Sequence, residues 1–150
     1  DLYNDEIILA SDNSNQFDAT PEEASHLICA YGYLQINPKT FGYNKDSIIG
    51  QLMTEARGGH FNKTPKKYPK KAYYSYEDKH CDYDCQIAEY LYWGVTSMLG
   101  AQDGPGRYDD IKDEWRLNTP AKIKSNAPEL YDLLSDASTG LPTVLPDGIL

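Results

Sequence analysis

Glu22, Glu23 and His26 are the residues whose types and spacing most directly suggest chemistry. On a helix, Glu22 and His26 are four positions apart, so their side chains leave one face a single turn apart. A carboxylate and an imidazole placed that way can grip one cation between them. The same stretch reads as a helix start. Thr20 can cap with its hydroxyl, Pro21 suits a first turn that needs no N–H, and Glu23 stands where a capping box closes. Acidic residues in a first turn are also favoured by the helix dipole, with no function attached.

A cation gripped by two residues of one turn needs a third ligand from elsewhere. Glu89 is the first candidate, because Cys85-Gln86-Ile87-Ala88-Glu89-Tyr90-Leu91 places one acidic residue on an otherwise apolar helix. A buried carboxylate is costly unless it is paired or coordinates a metal, so Glu89 needs a partner such as His26 or a cation. His60 competes for the place. It follows Gly58-Gly59, where backbone freedom after a helix end would let it reach back toward His26. Its alternative is a histidine whose charged form a helix C-terminus stabilises. His80, Cys81 and Cys85 lie too close together, with no second ligand pair, to make a good zinc site. Asp109, Asp110, Asp113 and Glu114 read as a solvated helix face. Asp12-Asn13-Ser14-Asn15 lacks the spacing and distal Glu of a calcium loop. No glycine-elbow serine and no phosphate-binding loop is present.

Glu22-Glu23-Ala24-Ser25-His26 together with Glu89 resembles the helix pair of the gluzincin metallopeptidases, with Glu where their H-E-x-x-H motif has its first His. The resemblance covers two short segments, about a third of the chain. It implies zinc as cofactor, with Glu22, His26 and Glu89 as ligands and Glu23 as the general base in peptide-bond hydrolysis. Tyr90 or one of Tyr73, Tyr74 and Tyr76 would steady the oxyanion. A Glu-His-Glu set is harder and more anionic than His-His-Glu, and makes a bound water less acidic. The chain before the first helix is also too short for the sheet that forms the substrate cleft in those enzymes.

The elements that must position these residues are mainly helical. The first helix is expected from Pro21 to Tyr31, with Ala24, Leu27, Ile28 and Tyr31 as its core face and Gly32 ending it. A second carries Ile48, Ile49, Leu52, Met53 and Ala56, capped by Asp46 or Ser47 and closed by Gly58-Gly59. Residues 60–80 read as an irregular loop pinned by Tyr73, Tyr74 and Tyr76. The longest and most apolar helix, Tyr83 to Ala101, belongs at the centre. Shorter helices follow around Asp109–Trp115, after Thr119-Pro120 and after Pro128. The fold expected is one compact, mainly α domain of about five to six helices with long loops. A short extended segment over Asp5–Ala10 opens it, and an extended tail with Pro142 and Pro146 lies in an apolar groove.

Composition bounds the function. The chain has 150 residues and a net charge of −9, which disfavours nucleic acid and anionic membranes as partners and leaves peptides or proteins. Lys63, Lys66, Lys67, Lys70 and Lys71 read as a solvated basic loop. No apolar run is long enough for a membrane span. Cys81 and Cys85 can bridge locally with Cys29 left over, which points to an oxidising, secreted or cell-surface compartment. The chain begins with Asp1, as a processed protein or an excised domain would. An acidic, tyrosine-rich surface also suits a non-catalytic adhesion or assembly module.

Overall fold

In a computed structural model of the chain, residues 2–8 and 18–145 are described. The mainly helical, single-domain expectation holds, and the described residues contain no strand beyond an isolated bridge between Tyr74 and Trp115. Asn4–Glu6 form a 3-10 turn where an extended run was expected. Leu9 and Ala10 of that run, the Asp12–Asn15 loop and Pro146 lie outside the described residues.

The first helix, α1, departs most from expectation. It runs as Thr20–Ile28, passes through a π-helical stretch at Cys29–Tyr33, and ends as Leu34–Ile36. Gly32 therefore does not stop it. The wider π turn absorbs the glycine, and the helix ends at Asn37, whose side chain caps the next short helix α2 (Pro38–Phe41). Thr20 is not the cap either: it is the first helical residue, and its own N–H donates to the Asp18 carboxylate at 3.0 Å. The expected core face is turned outward. Leu27, Ile28 and Tyr31 are 61%, 58% and 77% exposed, whereas Cys29 on the other side is buried.

Helix α3 (Ile48–Ala56) starts as expected, the Ser47 hydroxyl accepting the Gly50 N–H. It closes with Gly58 in the left-handed region, at φ +73°. Arg57 follows its last turn. This guanidinium is fully buried, with the Phe61, Tyr68 and Tyr83 rings 5.3–5.8 Å away. The box fastens the start of the 60–80 loop, and the other end is held by the Cys81–Cys85 disulfide. Tyr74 pins the middle, its hydroxyl donating to the Gln86 carbonyl at 2.9 Å. The five loop lysines are exposed.

Helix α4 (Tyr83–Met98) is capped by Asp82 and sits at the centre, with Ile87, Tyr90 and Leu91 fully buried. Each such side chain contributes roughly 1.5–3 kcal/mol of burial. Around it pack α1, α3 and the last helices, α6 (Pro120–Asn126) and α7 (Pro128–Ser135). Gly94 admits α7, since a Cβ there would stand 3.0 Å from Leu134 Cδ1. Between α4 and α6 lies α5 (Arg107–Ile111), and the turn after it leads to the buried Trp115.

Candidate metal centre

Because α1 turns its apolar stripe outward, it presents Glu22 and His26 to α4. Glu89 faces them from α4, one turn before Trp93 and three residues before Tyr92, whose ring meets the His26 ring edge-on at 5.9 Å. Donor atoms of Glu22, His26 and Glu89 all lie within 4.8 Å of one another. The nearest pair is His26 Nε2 and Glu89 Oε2 at 3.5 Å, with side-chain exposures of 20% and 11%. At that separation they form an ion pair when the imidazole is protonated, and Nε2 is left buried without a hydrogen-bond partner.

Electrostatics follow from this crowding. Burial, reinforced by the Glu89 charge and opposed by His26, pushes the Glu22 carboxyl up to about 7. Burial pulls the His26 pKa down, but the adjoining Glu89 carboxylate and the charges of Glu22 and Glu23 outweigh it and leave it raised. Glu22 and Glu89 repel one another across the cluster, a cost that the His26 imidazole and the Arg107 charge offset in part. A divalent ion would neutralise both carboxylates and engage the orphaned nitrogen. Bonds of about 2.0–2.1 Å to a tetrahedral ion put its donors roughly 3.3 Å apart, so the 3.5 Å pair is already at that spacing. Oxygen and imidazole donors suit zinc, iron and manganese alike.

Glu22 and Glu89 open onto a cleft of about 940 Å³. Its far wall is built from the 60–80 loop and includes Tyr68 and Tyr76, while Trp93 and Glu114 stand beside Glu89. Comparison with protein-family models, curated proteins and solved structures finds no match to this chain. The site's reading therefore rests on its geometry.

Glu23 stands next to Glu22, and its charge acts on both Glu22 and His26, but it does not line the cleft. His60 is not brought to the cluster: it is exposed, bonds Asn62 Oδ1 through Nε2 at 2.9 Å, and meets the Tyr83 ring at a tilt, with centroids 4.6 Å apart. Among the candidate tyrosines, Tyr90 is fully buried, its hydroxyl 3.5 Å from that of Tyr73, and Tyr74 is committed to Gln86. Tyr76 alone of the four lines the cleft. Burial and the charges of Glu89 and Glu114, together with a hydrogen bond to Glu89, hold its phenol far above the ordinary value.

Glu114 is the residue that sequence reasoning missed. Asp109, Asp110 and Asp113 are exposed as expected of a solvated face, but Glu114 is half-buried and its Oε1 accepts the Trp93 Nε1–H at 2.6 Å. Burial, opposed by that bond and reinforced by the charges of Glu89, Glu22 and Glu77, pushes its carboxyl up to about 7. The available signal was Trp93 itself. An indole N–H near the centre of a helical domain needs an acceptor, and here a distant segment supplies it.

Proposed function

We propose that Glu22, His26 and Glu89 hold zinc, and that the domain is a secreted or cell-surface hydrolase acting on peptide bonds. The observation that carries the reading is the convergence of the three donor groups within 4.8 Å at the wall of an open cleft. Three protein ligands leave a fourth position for water, which is the arrangement of catalytic rather than structural zinc sites. When bound, the ion supplies a Lewis acid for a carbonyl oxygen and acidifies water. The protein's own contribution is to orient. Tyr76 steadies Glu89, Tyr92 backs the His26 ring, and the cleft presents an extended chain to the site. The Cys81–Cys85 disulfide supports an oxidising compartment, and no helix among the described residues is long and apolar enough to cross a membrane.

A second reading is favoured by a different observation. The outward face of α1 exposes Leu27, Ile28 and Tyr31, and Ile36 is 85% exposed. Such an apolar strip suits a non-catalytic assembly or adhesion module. Metal analysis separates the two. Chain stripped with chelator and reloaded with zinc is expected to retain about one equivalent after gel filtration, lost in both Glu22→Ala and His26→Ala. No retained zinc in the unmodified chain refutes the metal centre and leaves the assembly module.

A further inference from the structure

Glu114 lines the same cleft as Glu22 and Glu89. It belongs to the turn after α5, far from α1 in sequence, yet two contacts set its position. Its backbone carbonyl accepts the Ser75 N–H at 2.9 Å, and its Oε1 accepts Trp93 Nε1–H at 2.6 Å. Trp93 is one helical turn beyond Glu89 on the same face of α4, so the bond to the indole brings Glu114 alongside the ligand cluster. The other oxygen, Oε2, makes no hydrogen bond among the described residues, and Glu114, Glu89 and Glu22 line the same cleft. One oxygen is anchored and the other is offered to the cleft.

We infer that Glu114 is the group that takes a proton from water held beside Glu22, His26 and Glu89, an inference that rests on reading that cluster as a metal centre. The water's O–H bond breaks and its proton passes to Glu114 Oε2. The remaining oxygen bonds to the substrate carbonyl carbon. As the C–N bond breaks, Glu114 returns the proton to the departing amine nitrogen, and the carboxylate is restored. Glu23, which the H-E-x-x-H pattern would place in this role, does not line the cleft. Glu89 from α4, Glu22 from α1 and Glu77 from the loop wall act on Glu114, and the cleft is also lined by the basic side chains Lys66, Lys79 and Arg107.

Cobalt(II) tests this without knowledge of a substrate, since its visible absorption follows ionisation at the centre. Unmodified, Glu114→Gln and Trp93→Phe chains are loaded with Co2+ and titrated from pH 6 to 10. The unmodified protein is expected to show two coupled ionisations, from water and carboxyl together. Glu114→Gln is expected to bind Co2+ equally well and to lose one of the two. Trp93→Phe keeps the carboxyl but frees it from the indole, and is expected to displace the lower step. Identical curves in all three proteins, or a single step in the unmodified chain, overturn the role of Glu114. Failure of the unmodified chain to bind Co2+ overturns the metal centre itself, a separate outcome.

Discussion

Replacing Glu114 by Gln should stabilise the metal-free protein, and only above a definite pH. The Glu114 carboxyl is pushed up to about 7 in the folded chain, against an ordinary value of 4.5. Below pH 4.5 both folded and unfolded chains carry it protonated, and burial costs nothing extra. Between pH 4.5 and 7 the unfolded chain ionises first, so the stability contributed by the protonated form is lost as pH rises. Above pH 7 the folded carboxyl ionises too, and the loss is complete. The difference of about 2.5 pH units at about 1.4 kcal/mol each gives an upper bound of about 3.5 kcal/mol. The cleft admits solvent to one side of the group, so about 1–3 kcal/mol is the expectation. Gln keeps an oxygen for the Trp93 N–H and never ionises. Urea unfolding in the presence of chelator, followed by Trp93 and Trp115 fluorescence from pH 4 to 8, measures the difference. The variant should match the unmodified protein at pH 4 and exceed it by that margin at pH 8, a rise of roughly 5 °C in melting temperature for a chain of this size. A difference that is flat across pH, or a variant less stable at pH 8, would refute the burial and charge argument for this residue.

Two further outcomes test the packing. Leu27→Lys, on the outward face of α1, should change unfolding free energy by no more than about 0.5 kcal/mol in urea melts. A loss above 2 kcal/mol would mean that α1 is rotated from the orientation described. Arg57→Met should be neutral or stabilising by about 1–3 kcal/mol, because none of the guanidinium nitrogens has a hydrogen-bond partner and only the aromatic faces offset its desolvation. A destabilised Met variant would show that the charge itself holds the loop.

The central helix was legible in the sequence because apolar residues surround Leu91–Leu99 on nearly every side, and such a helix can only be internal. Glu89 stood out for the same reason. Ser47, Asp82 and Thr119 act as caps, each accepting a backbone N–H three residues on. The face of α1 was not legible. That helix carries an apolar stripe and a stripe of Glu22, His26 and Cys29, and periodicity alone assigns the apolar one to the core. The structure buries the polar stripe because α4 presents Glu89 to it, which is a relation between distant segments. Gly32 misled for a local reason, as glycine ends α-helices but is tolerated in a π turn. Glu114 was hidden among three exposed acids, and only the partner of Trp93 distinguishes it.

The outward turn of α1 also bears on how the site comes apart. A helix that leaves Leu27, Ile28 and Tyr31 in solvent takes little of its stability from apolar burial, and its ends are closed by few side-chain bonds. Its opening free energy should therefore lie well below that of the core around α4. Two of the three candidate ligands, Glu22 and His26, ride on this cheaply opened unit, so capture of a cation there would be one event with helix docking. Amide hydrogen exchange would register it as protection gained over residues 20–36 on adding zinc, while the amides of α4 exchange only through global unfolding. The domain would then carry its candidate centre on a latch, closed by the ligand it receives.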